Sequence, residues 1–162
     1  MADPIRPPGG LVLRIHATAL ADLRAHAEEA YPHESCGVLL GTPVVHGGAP
    51  QGWFVRAALR TTNIRIDSPR NRYEIAPAEL VRILRSPSNQ GLEIAGFYHS
   101  HPDHPAEPSA IDLAEAHWLH CSYVITEVAQ GRAARTASFL LAGTTEDDKR
   151  FAPEPIEPLS PA

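Results

Sequence analysis

His99 and His101 stand two residues apart in the stretch Gly96-Phe97-Tyr98-His99-Ser100-His101-Pro102. The residues leading into it, from Glu93 onward, read as a strand, and on a strand side chains two apart point to the same face. Both imidazoles can therefore address one metal ion. Asp112, on a helix that starts near Ser109 behind Pro108, adds a carboxylate oxygen. Two histidines and one carboxylate, with an open fourth position for water, make a catalytic zinc arrangement. Zinc in such a site lowers the pKa of its water to about 7 and polarises a carbonyl. Hydrolysis also needs a base that takes the proton of the water and delivers it to the leaving nitrogen. Glu34, just before the apolar run that starts at Cys36, is the candidate: a carboxylate at a strand entrance can lean into the site without being a ligand.

Other readings of the same letters stand beside this one. Ser109-x-x-Asp112 is also a capping box at a helix start, and a full cap partner is not easily a metal ligand as well. His99-Ser100-His101-Pro102-Asp103-His104 spells H-x-H-x-D-H, the opening motif of metallo-β-lactamase-like hydrolases. That family needs further histidine ligands downstream, and after His104 only His117 and His120 remain. His16, His26, His33 and His46 have no assigned role. Ser35 and Ser100 read as structural. Cys36 and Cys121 read as small packed hydrophobes, or as a bridge if their strands are neighbours.

The elements that must position these residues follow from local patterns. Leu11 to Ile15 is a short strand. A helix capped by Thr18 runs to about Tyr31 with Leu20, Leu23, Ala27 and Ala30 on its apolar face, and Pro32 marks its end. Cys36 to Gly41 is a buried strand, and Trp53 to Thr61 another. Residues 63–72 are polar, basic and contain Pro69, which predicts a loop. Pro77 introduces a helix over 78–85 with Leu80, Val81 and Leu84 inward. After the strand Glu93 to His99, an Ala-rich helix spans Ser109 to about Leu119. Ser122 to Val128 and Arg135 to Ala142 are the last two strands. This order predicts an α/β fold with a mixed sheet covered by helices on both sides. One domain covers 11–145. The Pro- and Gly-rich residues 1–10 read as an arm. The charged, Pro-rich residues 146–162 read as a tail, disordered or draped over the surface.

Composition narrows the function classes. The chain has 162 residues, enough for one core, and 43% are hydrophobic, as in a soluble globular protein. Its net charge of −5 offers no basic stripe for nucleic acid. No apolar run reaches the ~20 residues of a membrane span, and the N-terminus has no apolar core of a secretory signal. Two cysteines are too few for a disulfide framework. The expected setting is a reduced cytoplasm, with neither nucleic acid nor membrane as a partner.

Glu34-x-Cys36-Gly37, then His99-x-His101, seven residues, and Ser109-x-x-Asp112 resemble the JAMM (MPN+) metallopeptidases, which include deubiquitinases. The match is closer to their small bacterial branch, similar to Mec-type sulfur-carrier peptidases. Tyr98-His99-Ser100-His101-Pro102, Pro108-Ser109 and the set Asn63, Pro69, Tyr73, Glu74 and Ile75 are shared with that branch. The resemblance runs from about Leu11 to about Ala142. It implies a three-layer, cytidine-deaminase-like JAMM/MPN fold, with one Zn2+ held by His99, His101 and Asp112. Glu34 would be general base and then general acid, and Ser109 would help hold the oxyanion. It also implies hydrolysis of an amide or isopeptide bond after the C-terminal glycine of a ubiquitin-like or sulfur-carrier protein. The alternatives are a general small zinc peptidase and a non-catalytic MPN-type binding scaffold. The loop carrying Arg65, Arg70 and Arg72 is the candidate contact for the carrier, whose tail would lie extended beside the site.

Overall fold

A computed structural model describes residues 11–89 and 91–160; the expected arm, residues 1–10, lies outside the described residues. The elements are β1 (Val12–His16), α1 (Ala17–Ala30), β2 (Cys36–His46), β3 (Ala49–Thr61), α2 (Pro77–Arg85), β4 (Glu93–Pro102), α3 (Ala110–Glu115), β5 (Ser122–Ala129), β6 (Arg132–Ala142), β7 (Arg150–Glu154) and β8 (Ile156–Leu159). The eight strands form one mixed sheet in the order β7-β6-β5-β4-β2-β3-β1-β8. The β1–β3, β1–β8 and β4–β5 pairs are parallel and the others antiparallel.

β7 and β8 are the two outer strands of this order, yet only Pro155 separates them in sequence. The sheet therefore curls until its edges meet in a single stretch of chain. Leu13 on β1 donates its N–H to the Pro155 carbonyl at 2.9 Å. The reading of residues 146–162 as a disordered or draped tail is corrected for the two strands, Arg150–Glu154 and Ile156–Leu159. Phe151, half-buried, packs on the core beside Tyr123 and Phe139, while β7 pairs with β6 and β8 with β1. Edge strands also tolerate proline, because one side of each needs no ladder hydrogen bond.

Alternation along the strands divides the core between the two faces. Leu13, Ile15, Leu39, Val55, Ala95, Tyr98 and Val124 gather around Ala19 and Leu23 of α1. Val38, Leu40, Ile94, Phe97 and Tyr123 gather under Ile83 of α2 and Leu113 and Ala116 at α3. Three helix details differ from expectation. The N-cap of α1 is His16, without a side-chain cap bond, so Thr18 lies inside the helix. α2 buries Ile83, while Val81 and Leu84 are exposed. α3 ends at Glu115, well short of Leu119. No described helix is long and apolar enough to cross a membrane.

A bulge sets the face that carries the histidines. Leu39 pairs with Gly96 and Leu40 with Ile94, so Ala95 is left over. An unbulged strand would place Ile94 and His99 on opposite faces. The extra residue brings Ile94, Phe97, His99 and His101 to the α3 side, as bulges next to functional sites re-aim side chains.

Candidate metal centre

β4 delivers His99 and His101 buried and side by side, with their Nε2 atoms 3.1 Å apart. α3 brings Asp112 over the pair. Its Oδ1 is 3.3 Å from His99 Nε2 and its Oδ2 is 3.1 Å from His101 Nε2. Glu34 approaches from the entrance of β2, with Oε1 4.0 Å from His101 Nε2. Ligand atoms of Glu34, His99 and His101 all lie within 4.8 Å of one another.

Second contacts fix these side chains. His101 Nδ1 is 2.7 Å from the Pro105 carbonyl oxygen, which can only accept. The neutral ring therefore donates from Nδ1 and presents its Nε2 lone pair to the centre. The Tyr73 ring stacks on His99 with centroids 4.6 Å apart and planes 23° apart. Glu34 is held through its backbone. Its N–H donates to the Pro69 carbonyl at 2.7 Å, and its own carbonyl accepts from Asn63 Nδ2 at 3.3 Å. On its other side, Ser100 Oγ accepts from Ser35 N at 2.8 Å, and Ser100 N donates back to the Ser35 carbonyl at 3.2 Å. The strand entrance is thus clamped to β4 at the residue between the two histidines. At Gly37 the Tyr98 ring lies across the backbone, and an added Cβ would sit 2.2 Å from it. That contact explains the glycine at position 37.

The capping box and the metal reading coexist at Asp112. Asp112 Oδ2 accepts from Ser109 N at 2.8 Å while Ser109 Oγ accepts from Asp112 N at 3.0 Å. The same carboxylate faces both histidines, so the cap leaves Asp112 directed at the centre. A carboxylate has about four acceptor sites, enough for both.

The electrostatics follow from burial and these pairings. Burial alone would raise the Asp112 pKa, but hydrogen bonds from His101, His99 and Ser109 N–H hold it well below the usual carboxylate range. Burial lowers His99 despite Asp112. Burial also acts to lower His101, but Asp112 and the Pro105 carbonyl outweigh it and the net shift is upward. Burial pushes Glu34 up to about 8, opposed by His101 and reinforced by Asp112 and Glu115. Glu34 Oε2 is buried without a hydrogen-bond partner among the described residues. Two imidazoles with converging Nε2 atoms and an ionised carboxylate across both are donors that a divalent cation satisfies. The residues fit a metal ion such as zinc.

The H-x-H-x-D-H reading finds no second site at this turn. Asp103 Oδ2 accepts from Tyr31 OH and Oδ1 from Gln130 N, both at 2.8 Å, and His104 is exposed. His117 pairs with Glu146 at 3.0 Å. Cys36 and Cys121 are free and buried, and β4 lies between β2, which begins at Cys36, and β5, which begins just after Cys121. Of the three loop arginines, Arg65 is tied to Asp67 at 2.8 Å and to Glu74 at 3.8 Å. Arg70 lines the cleft over Glu34, His101 and Ser109.

The roles of Pro105, Tyr73 and Asn63 were missed by sequence reasoning. Asn63 and Tyr73 stood only within the resemblance. The signal for Asn63 is its place beside a polar loop: its Oδ1 accepts from Arg65 N and Glu74 N, and its Nδ2 donates to Arg72 and Glu34 carbonyls. A short polar side chain that organises a turn in this way is common.

Known proteins resemble the chain across this same region. The family described as prokaryotic homologs of the JAB domain matches residues 16–142. A desampylase of Haloferax volcanii is 36% identical over 117 residues, spanning 70% of this chain and 78% of the relative. A probable TtuB-protein conjugate cleaving protease of Thermus thermophilus is 34% identical over 116 residues, spanning 72% and 70%. Among solved structures, a protein of Salinibacter ruber superposes with a TM-score of 0.66 at 36% identity, covering 91% of each chain. One of Desulfitobacterium hafniense gives 0.68 at 25% identity, covering 92% of this chain and 95% of that one. With the matched region spanning every element from α1 to β6 and the whole of the centre, the chain belongs to the prokaryotic branch of the JAB domain family.

Proposed function

We propose that this protein is a zinc-dependent hydrolase that cleaves the amide or isopeptide bond after the C-terminal glycine of a ubiquitin-like or sulfur-carrier protein. The observation that carries the reading is the pair of converging histidine nitrogens bracketed by Asp112 and Glu34. The relatives support the substrate class, since one is a desampylase and another a probable cleaver of TtuB-protein conjugates. The alternation of the two core clusters supports a three-layer, cytidine-deaminase-like architecture.

In this reading His99, His101 and Asp112 hold the zinc. When bound, zinc supplies Lewis acidity that polarises the scissile carbonyl and makes a nucleophile of water near neutral pH. Glu34 takes the proton of the attacking water and hands it to the leaving nitrogen. Its raised pKa suits both halves of that transfer. Ser109 Oγ accepts from Asp112 N, which leaves its hydroxyl hydrogen free to donate to the oxyanion developing on the carbonyl. A Gly-Gly terminus suits this buried centre, because glycine lacks a Cβ and admits close backbone approach.

The test is mass spectrometry of carrier fusions ending in Gly-Gly-X, with Glu34→Gln as control. Cleavage after the last glycine, abolished by a chelator and cut sharply when that glycine becomes valine, is the expected result. Persistence of intact fusions while glycine-free peptides are cut efficiently would make the protein a general peptidase. Hydrolysis of nothing by zinc-loaded protein would leave a binding scaffold.

A further inference from the structure

Arg70 is the loop arginine whose charge is left open over the reacting centre. The segment between β3 and α2 is fixed to the catalytic side through the Pro69 carbonyl, which accepts from Glu34 N at 2.7 Å, and through Asn63, which reaches the Glu34 carbonyl. The N–H groups of Asn71 and Arg72 both donate to the Ser68 carbonyl, at 3.2 and 2.9 Å, closing a tight turn with Arg70 at its tip. Arg70 is thus next in sequence to a residue bonded to Glu34. It lines, with Asn71, Ile111 and the reacting groups Glu34, His101 and Ser109, a cleft of about 380 Å³.

Arg65 is paired with Asp67 and Glu74. Arg70 is exposed and makes no ion pair among the described residues. Its charge reaches Asp103 and Tyr31 only as a field. Apart from Glu34, Glu107 is the acid lining the cleft, and it is exposed. A guanidinium presents planar, paired donors that match a carboxylate in bidentate fashion.

Resting on the hydrolase reading above, we propose that Arg70 binds the α-carboxylate of the leaving group. The preferred substrate is then a carrier whose terminal glycine is followed by a single amino acid with a free C-terminus. In such a substrate the carboxylate sits on the same amino acid as the scissile nitrogen, within the span of a small cleft. A carrier joined to a lysine side chain has no carboxylate near the bond, so Arg70 makes specificity rather than chemistry.

Three fusions of one Gly-Gly carrier test this: Gly-Gly-Ala as free acid, the same with a C-terminal amide, and an isopeptide to a lysine side chain in a peptide. The readout is the ratio of kcat/KM for acid over amide. Charge-assisted hydrogen bonds predict a ratio of about 10 to 100 for the unmodified enzyme. Arg70→Ala should bring the ratio near one, Arg70→Lys should restore part of it, and Arg70→Glu should invert it. A ratio near one in the unmodified enzyme, or one unchanged in Arg70→Ala, overturns the proposal while hydrolysis of the fusions upholds the parent reading. If no fusion is cleaved, the parent reading falls and this inference falls with it.

Discussion

The imidazole of His101 donates from Nδ1 to the carbonyl oxygen of Pro105 at 2.7 Å, and this bond decides which nitrogen faces Asp112. A ligand whose tautomer is locked by a backbone acceptor cannot be detuned by a side-chain change at the acceptor. The informative substitutions therefore lie on the carboxylates. Asp112→Asn keeps an oxygen for the Ser109 N–H, so the capping box and α3 survive while the anionic donor disappears. The expected outcome is a folded protein with zinc well below one equivalent. Glu34→Gln should keep its zinc and lose activity by at least about 10²-fold, the usual scale of acid–base catalysis. Metal analysis beside kinetics separates the two, and a zinc-free Glu34→Gln protein would make Glu34 a ligand.

Tyr73 provides a wall rather than a ligand. Its ring covers one face of His99, whose Nδ1 is buried without a partner. Stacking therefore restrains the plane of the His99 ring, whereas the Pro105 carbonyl fixes the tautomer of His101. Tyr73→Ala should weaken zinc binding by about 10- to 100-fold, the range seen when groups that orient ligands are lost. Tyr73→Phe should bind zinc as the natural protein does. Competition with a chelator gives both numbers, and equal affinity for the Ala variant would refute the orienting role.

Asp103 and His104 bear on metal count. Asp103 accepts from Tyr31 and Gln130, and among the described residues the Glu34, His99 and His101 group that could hold a metal includes neither Asp103 nor His104. Zinc titration should saturate at one equivalent per chain, and Asp103→Asn and His104→Ala should each retain that one equivalent. A second equivalent that vanishes in either variant would revive the dinuclear reading.

The convergence of His99, His101 and Asp112 was legible because their spacing follows local geometry. His99 and His101 share a face through the strand period, and Asp112 sits at the start of a helix marked by Pro108 and Ser109. The bulge at Ala95 was not legible, since nothing in Ile94-Ala95-Gly96 distinguishes a bulged strand from a regular one until the pairing with Leu39 and Leu40 is known. The stacking of Tyr73 and the hub at Asn63 join segments far apart in sequence, beyond any periodicity. The inward face of α2 was misplaced because Val81 and Leu84 carry as much apolar character as Ile83. Which of them is buried depends on where β2, β4 and β5 lie. The C-terminal strands were misjudged for a related reason: proline-rich composition signals disorder only when no neighbouring edge is waiting to be paired.

That last difference makes truncation informative. Removing residues after 145 deletes β7 and β8, uncovers both edges of the sheet and takes Phe151 from between Tyr123 and Phe139. Phe151 is half-buried, so losing its contacts alone costs up to about 3 kcal/mol, a large fraction of the stability of a small domain. The truncated chain should be insoluble or unfolded by circular dichroism. A truncated protein that melts at the same temperature as the whole chain would return these residues to the status of a tail.

Glu154 gives the final prediction, because it sits where β7 turns into β8 and is buried. Its Oε1 accepts from Ser122 and Ser138 hydroxyls at 2.5 and 2.8 Å, while Oε2 has no hydrogen-bond partner among the described residues. Burial raises its pKa above the ordinary carboxylate value, and the two hydroxyl donors only partly oppose this. Between the unfolded value and the raised folded value, the native chain keeps a proton that the unfolded chain has released. Stability contributed by this group is therefore present below the unfolded pKa and falls as pH rises through that window. Glu154→Gln supplies a neutral group of the same shape, so it should match the natural protein near pH 4 and exceed it at neutral pH. Urea unfolding of chelator-treated protein from pH 4 to pH 8 reads the difference without interference from metal loss. A difference that is constant across this range, or a Gln variant less stable at pH 8, would mean that the buried carboxylate is stabilised in its charged form after all.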